Sequence, residues 1–288
     1  MNKIKYFLQF ISLIILFSLY KIIGLKFSSC LSGMITSFIG PFFRSSNLCH
    51  SNISKAFPKL SKNEREKILK KMWFNYGRMI AEYMYIKDFR NNENFSKKII
   101  IENQNILEKI KHNSKPVIFV SGHFNNFELM AMHIEKSGID LAAIYRPLNN
   151  EYLNPLMENI RKKYICRNQV KKGISGTKEI LKYFKKNMSI ALMIDQRVSE
   201  GIKCNFFGEG AFTTTIPAQF VKKYNADIVP IHIERTYGNN FKLKIFEPMQ
   251  FSKNDEVEKI TLKLNIFLEQ LVVKNPDQWI WTHNRWKK

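Results

Sequence analysis

Short apolar runs alternate with segments of helical periodicity through most of the chain, and this alternation restricts the fold more than any other feature. Such runs are typical of strands, whereas apolar residues at three- and four-residue spacing form one face of a helix. Strands that alternate with helices build a mostly parallel sheet. The sequence therefore predicts an α/β domain with a largely parallel central sheet flanked by helices. The predicted strands are 117–121, 141–145, 189–195, 228–234 and 241–246, and the predicted helices are 126–136, 154–164, 177–185, 216–224 and 257–271.

Two local patterns add detail to this prediction. Ser61 and Glu64 form an S-x-x-E pattern, which is typical of a helix N-terminus, and helical periodicity continues from there to about residue 86. The turn residues 238–240 lie between the last two predicted strands, so they predict a hairpin.

The first 25 residues predict a membrane-anchor helix, with residues 26–288 as a separate domain. Residues 6–20, YFLQFISLIILFSLY, are almost wholly apolar and, extended to Leu25, approach the roughly 20 residues needed to span a bilayer. A cleaved signal peptide is the alternative, but no small-residue cleavage site follows the apolar core. Lys3 and Lys5 on one side are balanced by Lys21 and Lys26 on the other, so charge does not set the orientation.

The segment after the predicted anchor, residues 27–60, begins with a second apolar helix face rather than a polar linker. The residues that make this face are Phe27, Leu31, Met34, Ile35, Phe38, Ile39 and Phe42. Their spacing suits a helix that faces a protein core, and it suits equally a helix that lies in a membrane interface.

The charge balance is strongly positive, with 46 Lys and Arg against 24 Asp and Glu, a net charge of +22. Such a surface attracts anions: phospholipid headgroups, nucleic acid or an acidic carrier protein. The four cysteines, Cys30, Cys49, Cys166 and Cys204, lack CxxC or zinc-like spacing. They are expected to be reduced thiols, and we expect neither a metal nor a cofactor.

Polar groups follow three of the predicted strands. His123 follows the first strand, Arg146 the second, and Asp195, Gln196 and Arg197 end or follow the third. In open α/β sheets, ligands bind beyond the carboxyl ends of the strands. These side chains are therefore expected to meet at one edge of the sheet.

The stretch "SGHFNNFELM" holds the strongest catalytic candidates, His123 and Glu128. If His123 lies in the loop and Glu128 in the first helical turn, the carboxylate can fix the tautomer of the imidazole and leave the other nitrogen free as a general base. A well-capped loop with a favourably placed Glu is the alternative. Ser121 is not in a G-x-S-x-G elbow, which favours direct transfer to a substrate hydroxyl over a covalent enzyme intermediate.

The C-terminal segment "PDQWIWTHNRWKK" places Trp279, Trp281 and Trp286 among basic residues. Aromatic residues in such a tail can dock it on the core. Alternatively, tryptophan and basic side chains can anchor it in the headgroup region of an anionic membrane.

An ordered set of motifs resembles one family over nearly the whole chain. "SGHFNNFEL", "YRPLNN", "DQR", "FFGEGAFTTTIPAQF" and "NPDQWIWTHNRWKK" occur in the order and spacing of the late acyltransferases of lipid A biosynthesis, the lauroyl and myristoyl transferases of the Gram-negative inner membrane. The segment "NLCHSNISKAFPKLSKNERE" is also similar to the part of that family that precedes the catalytic domain.

The resemblance implies that an acyl chain moves from acyl carrier protein to a hydroxyl of a lipid A precursor. It implies that residues 26–288 form the acyltransferase domain on the cytoplasmic face of the inner membrane, in contact with anionic lipids. His123 and Glu128 match the catalytic pair, and Asp195 and Gln196 are expected to contact substrate. The candidates to bind acceptor phosphates are Arg146, Arg161, Arg197 and Arg235.

Two other functions are consistent with part of the sequence. One is an acyltransferase of phospholipid synthesis that uses glycerol-phosphate or lysophosphatidate, although such enzymes carry His-x4-Asp. The other is a membrane-tethered nucleic-acid-binding protein, which would explain the charge but not the polar groups at strand ends, and no nucleic-acid-binding motif supports it.

Overall fold

The computed structural model describes residues 2–287, with side chains from residue 3. Within these residues the α-helices are α1 (Asn2–Phe43), α2 (Ser46–Ala56), α3 (Lys62–Glu82), α4 (Ile86–Asn91), α5 (Glu93–Ser96), α6 (Gln104–Asn113), α7 (Glu128–Lys136), α8 (Leu153–Tyr164), α9 (Ile174–Lys185), α10 (Ile216–Tyr224) and α11 (Val257–Lys274). The strands are β1 (Ile99–Glu102), β2 (Ile118–Ser121), β3 (Leu141–Tyr145), β4 (Asn168–Lys171), β5 (Ser189–Met193), β6 (Ile202–Phe206), β7 (Glu209–Thr213), β8 (Ile228–Arg235) and β9 (Phe241–Ile245).

Seven of these strands form one sheet in the order β1-β9-β8-β2-β5-β3-β4. Strands β8, β2, β5, β3 and β4 are mutually parallel, β9 is antiparallel to β8, and β1 is parallel to β9. The prediction of a largely parallel sheet flanked by helices is confirmed, as is the hairpin between the last two strands. Helix α3 also begins as predicted, because Ser61 and Glu64 complete a capping box.

Two apolar cores fill the faces of the sheet. Ile118 and Val120 point into one core with α9, α10 and α11, while Phe119 points into the other with α6 and α7. Successive side chains of a strand alternate between faces, so a strand covered on both sides must be apolar throughout. Strands β2 and β5 are neighbours, yet the chain leaves them toward opposite faces. Their carboxyl ends therefore form a topological switch point, where α/β proteins bind ligands.

Several short elements were not predicted from the sequence: β1, β4 and the separate antiparallel hairpin β6–β7. Strand β4 reads NQVK, which lacks an apolar run. The β6–β7 turn passes through Phe207 and Gly208, both with positive φ (55° and 75°). The left-handed conformation is typical of Gly but unusual for Phe, so residue type did not reveal this turn.

Helix α1 consists of two helices that meet at Gly24, where φ is 79° and ψ is 163°. A positive φ is strained for any residue with a Cβ, so glycine permits the change of direction here. By length and composition, the segment from Lys3 to Phe43 is long and apolar enough to contain a membrane span. The break at Gly24 lies one residue before the predicted end of the anchor at residue 25. Met1 and Lys288, which belong to the predicted anchor and C-terminal domain, lie outside the described residues.

Candidate active site

The imidazole of His123 lies at the switch point between β2 and β5. Ser121 and Met193, the last residues of the two strands, are register partners, so the loops that follow them start side by side. His123 Nδ1 is 2.8 Å from Asp195 Oδ1, and the backbone N–H of His123 donates to Asp195 Oδ2 at 2.8 Å. Gly122 allows this close approach, because a Cβ there would lie 3.2 Å from Asp195 Oδ2.

Asp195 is a buried carboxylate, 3% exposed, that accepts a third hydrogen bond from Trp279 Nε1 at 2.8 Å. Burial raises the pKa of its carboxyl, but the charge of His123 and the hydrogen bonds from His123 and Trp279 outweigh burial and lower the pKa to about 2. Burial lowers the pKa of His123, whereas the charge and hydrogen bond of Asp195 and the charge of Glu128 raise it, and the net shift is upward. Asp195 is thus ionised and stabilises the imidazolium form of His123.

The tautomer of His123 follows from this pairing. An ionised carboxylate only accepts hydrogen bonds, so Nδ1 carries the proton and donates it to Asp195, and Nε2 of the neutral ring bears a free lone pair. Nε2 lies 3.5 Å from the side-chain nitrogen of Gln196, and the edge of the ring contacts Phe127 at 4.8 Å between centroids. The side chain of His123 is 19% exposed to solvent, so a substrate hydroxyl can approach Nε2.

The expected hydrogen bond between His123 and Glu128 is not present; Asp195 is the carboxylate that holds the imidazole. Glu128 is in the first turn of α7, as expected, but its Oε1 accepts from Arg161 Nε at 2.9 Å and Nη2 at 2.6 Å. Arg161 lies on α8, and its guanidinium also faces the ring of Tyr145 at 5.5 Å. The half-buried arginine is a stronger partner for Glu128 than a neutral imidazole, so the carboxylate acts on His123 through its charge rather than by contact.

The four arginines proposed to bind phosphate fall into two groups. Arg161 is paired with Glu128, and Arg235 donates to both oxygens of buried Glu82 at 2.7 and 2.9 Å. Arg235 is only 7% exposed and is therefore a structural cation, which corrects the expectation that it contacts substrate. Arg146 is exposed and takes part in none of the ion pairs between described residues. Arg197 donates to the carbonyl of Lys287 at 3.0 Å but remains partly exposed.

One basic residue at this edge, Lys172, was missed in the sequence. Its backbone N–H donates to the carbonyl of Tyr145 at 2.8 Å, which places it beside Arg146 at the ends of β3 and β4. Lys172 reaches solvent, yet the protein around its ammonium group and the charge of Arg146 lower its pKa. The signal was hidden because β4 has too few apolar residues to be recognised as a strand.

The C-terminal segment is part of the site rather than a membrane anchor. Trp279, Trp281 and Trp286 are 2%, 0% and 6% exposed, so the docked interpretation is confirmed. Gln278 bonds the loop after β2, since its backbone carbonyl accepts from the backbone N–H of Asn125 at 3.0 Å. Sequence reasoning did not assign Trp279 a role, because its hydrogen bond to Asp195 joins residues 84 positions apart.

The hydroxyl of Ser121, two residues before His123, is not placed for activation by the imidazole. The hydroxyl of Ser121 is 3.4 Å from the sulfur of Met130 and 3.5 Å from the carbonyl of Gly122, on the buried side of the loop. Among residues 2–287, no group of three His, Cys, Asp or Glu side chains is placed to hold a metal ion. The arrangement therefore suits a base that deprotonates a substrate group directly.

Comparison of the sequence with known proteins places the chain in a family. Residues 1–288 match the model of a family described as bacterial lipid A biosynthesis acyltransferase. The chain is 24% identical over 234 residues to lipid A biosynthesis acyltransferase 2 of Shigella flexneri, which covers 80% of this chain and 74% of the relative. It is 24% identical over 253 residues to the lipid A biosynthesis palmitoleoyltransferase of Escherichia coli (strain K12), and 23% identical over 253 residues to the lauroyltransferase of the same organism. These alignments cover 86% and 85% of this chain, and 80% and 79% of the relatives.

Proposed function

The chain belongs to the bacterial lipid A biosynthesis acyltransferase family and is therefore an acyltransferase; from this premise we propose that it transfers a fatty acyl chain from acyl carrier protein to a hydroxyl of a lipid A precursor. The observation that carries the mechanism is the His123–Asp195 pair at the switch point of the sheet. The net charge of +22 supports an acidic carrier protein as donor.

The proposed reaction is a direct transfer with His123 as general base. Nε2 takes the proton of the acceptor hydroxyl as its oxygen attacks the thioester carbonyl. The tetrahedral intermediate then collapses, the carbon–sulfur bond breaks, and the imidazolium returns the proton to the sulfur of the leaving thiol. Acyl ester and free carrier thiol are the products, and the base is regenerated without a covalent enzyme intermediate.

Asp195 and Glu128 support the base in different ways. Asp195 holds the imidazole in the tautomer that leaves Nε2 free, and its charge stabilises the imidazolium that forms during the reaction. Glu128 stays in our proposal as a catalytic residue of the matched motif, but its partner is Arg161. This ion pair fixes the start of α7, and the negative charge of Glu128 favours the imidazolium.

The acceptor phosphates have two exposed cations available near the base. Arg146 and Lys172 project from the ends of neighbouring strands, and Arg197 follows β5. We assign phosphate binding to Arg146 and Lys172, with Arg197 as a further contact, and not to Arg161 and Arg235. A planar guanidinium can bind a phosphate through two parallel hydrogen bonds, while the lysine acts as a point charge.

The apolar helix α1 supports a location at the inner membrane, with the catalytic domain on the cytoplasmic face, where acyl carrier protein is available. A lipid acceptor resides in that membrane, so attachment brings the enzyme and acceptor together. The basic surface would add attraction to anionic lipids.

Purified protein in detergent should transfer radiolabelled acyl chains from acyl carrier protein to a lipid A precursor, and mass spectrometry should show one added ester-linked chain. Acyl-coenzyme A serves as the control donor, since it presents the same phosphopantetheine thioester without the acidic protein surface. Equal rates with both donors would show that the enzyme does not recognise the protein part of acyl carrier protein. Transfer to lysophosphatidate but not to the lipid A precursor would show that the proposed acceptor is wrong.

A further inference from the structure

The whole length of α1 lies along the domain instead of projecting away from it. In the first half, one stripe faces the protein: Phe17 and Tyr20 are 9% and 1% exposed and pack with Ala81 of α3. Near the N-terminus, Asn150 in the loop after β3 donates to the carbonyl of Tyr6 at 2.9 Å. The contacts from Tyr6 to Tyr20 extend over about 21 Å of helix, at 1.5 Å per residue. A spanning helix would have to bring this part of the domain into the bilayer with it.

The second half of α1 is held even more closely, through small side chains. A Cβ at Gly33 would meet the ring of Phe74 at 2.8 Å, and a Cβ at Gly77 would meet the carbonyl of Ser32 at 2.3 Å. The hydroxyl of Ser32 donates to the carbonyl of Gly77 at 2.6 Å. Glycine and serine at these positions let the backbones of α1 and α3 approach closely, as small residues do where helices pack tightly.

The opposite side of both halves is apolar and uncovered by the described part of the chain. The side chains that form it, with their exposed fractions, are Ile4 70%, Leu8 59%, Ile15 65%, Ile22 81%, Phe27 70%, Met34 54%, Phe38 76% and Phe42 82%. We call this the outer face of α1. Next to Gly24 it contains an open groove of about 480 Å³ lined by Ile23, Phe27, Cys30, Leu31 and Met34. A water-soluble protein rarely exposes a continuous apolar surface of this length.

Cations lie at both ends of this face and beside its midpoint. Lys3 and Lys5 lie at its N-terminal end, and Arg44 follows its C-terminal end. Lys26 lies beside the break, and residues 27–43, FSSCLSGMITSFIGPFF, contain no charged residue. This distribution complements a bilayer surface, where apolar side chains enter the acyl region and basic side chains meet anionic headgroups.

We propose that α1 binds the membrane from one side, with its outer face immersed in the interface of an anionic phospholipid bilayer, and does not cross it. The break at Gly24 lets both halves follow the surface of the domain and keep their apolar sides toward the lipid. Since Asn150 follows β3, the carboxyl edge of the sheet then borders the membrane. The whole described chain lies on the side of the membrane that holds the domain. This proposal concerns attachment and does not depend on the acyl transfer reaction.

A first experiment locates the N-terminus. Lys3→Cys and, as the control, Lys253→Cys are each made in a Cys30→Ser background, because the other three cysteines are buried. A membrane-impermeant maleimide should label neither cysteine in intact spheroplasts and both after lysis. Labelling of Lys3→Cys but not Lys253→Cys before lysis would show that α1 crosses the membrane and would overturn the proposal. Labelling of Lys253→Cys before lysis would instead overturn the cytoplasmic location proposed for the domain.

A second experiment measures depth on reconstituted full-length protein. The native Cys30 and, in a Cys30→Ser background, Ile15→Cys are labelled with a fluorophore, and quenching by lipids with a doxyl group near the headgroup or near the chain end is compared. The shallow quencher should be at least twofold more effective at both positions. Stronger quenching of the Ile15→Cys label by the deep quencher would indicate a spanning helix. Absence of lipid quenching, together with Cys30–Cys30 cross-linking, would indicate that a second copy covers the face; either result overturns the proposal.

Discussion

Two buried carboxylates near the same edge of the sheet, Asp195 and Glu82, show how similar ion pairs serve different purposes. Glu82 is fully buried and accepts hydrogen bonds from Arg235, Asn239 and Ser29 at 2.7 to 3.0 Å. The arginine is always charged and the other two side chains are neutral, so none of these partners exchanges a proton. Asp195 is equally buried, but its partner is a titratable imidazole whose second nitrogen remains open. An ion pair whose polar atoms are all hydrogen-bonded, such as Glu82–Arg235, stabilises the fold. The His123–Asp195 pair leaves one ring nitrogen free, so it can transfer a proton.

The two networks are connected through the loop after β2. Asn126 donates to Glu82 at 3.3 Å, while the backbone N–H of His123, three residues earlier, donates to Asp195. The Glu82 network therefore supports the loop that presents the base. Loss of Glu82 should act mainly on folding, and loss of His123 should act mainly on chemistry.

The largest effect is expected for His123→Ala. The kcat for acyl transfer should fall by about 10² to 10⁴-fold, which is the usual contribution of a general base. The protein should remain folded, because Asp195 keeps its hydrogen bonds from the backbone N–H of residue 123 and from Trp279. His112→Ala, at an exposed histidine of α6, is the matched control and should keep wild-type activity. A double variant with Asp195→Asn should be little worse than His123→Ala alone, because the residues act as a unit. If the folded His123→Ala protein transfers acyl chains at a near-normal kcat, the proposed mechanism is wrong.

Glu82→Gln is expected to lower the free energy of unfolding by about 3–5 kcal/mol, because it leaves the buried guanidinium of Arg235 without its counter-charge. Denaturant unfolding in detergent measures this difference. Glu93→Gln is the control, since Glu93 pairs with Lys97 at 2.8 Å on the surface and should contribute less than about 1 kcal/mol. A Glu82→Gln protein as stable as Glu93→Gln would show that the buried pair is not structural.

Asp195→Asn should change the pH dependence as well as the rate. The neutral imidazole is the base, so kcat/KM rises with pH through the raised pKa of His123 and then levels off. Burial lowers that pKa, and the charge and hydrogen bond of Asp195 together with the charge of Glu128 raise it above the ordinary value. Without the charge of Asp195 the pKa of His123 falls, so the rise of kcat/KM, the acidic limb of the profile, should move to lower pH. The plateau should fall by up to about 10⁴-fold, since an amide can hold the wrong tautomer and cannot stabilise imidazolium.

Glu128→Gln provides the comparison for this pH profile. It also removes negative charge near His123, but its influence on the pKa of His123 is weaker than that of Asp195. The acidic limb should therefore move less, although activity should fall strongly because Arg161 loses its partner. A larger displacement for Glu128→Gln than for Asp195→Asn would mean that the two carboxylates exchange roles during catalysis.

The smallest effect is expected from ionic strength. Salt screens surface charges over about 8 Å at physiological concentration, so KM for the acyl carrier protein should rise several-fold with added salt. The His123–Asp195 pair is buried, so kcat should hardly change. A salt-independent KM would mean that the excess charge does not serve the donor.

Much of the molecule could be predicted from local sequence patterns. Strand 141–145 and helix 216–224 have the predicted bounds, because apolar periodicity and turn residues are properties of neighbouring positions. The α/β class and the placement of His123, Arg146 and Asp195 at strand ends follow from the same kind of signal. The order of the motifs along the chain is likewise a property of the sequence, and it was sufficient to indicate the family.

The contacts that define the roles of the charged residues could be seen only in the tertiary structure. His123 and Asp195 are 72 residues apart, and Glu82 and Arg235 are 153 residues apart. No periodicity reports such pairs, because they arise from strand order in the sheet, and five-residue proximity in sequence suggested Glu128 instead. Burial likewise separated Arg146 from Arg235, which look alike in a sequence. Residue types and local spacing thus determined the elements and the chemical inventory, while the fold determined the partners, since partner choice depends on distance and desolvation in three dimensions.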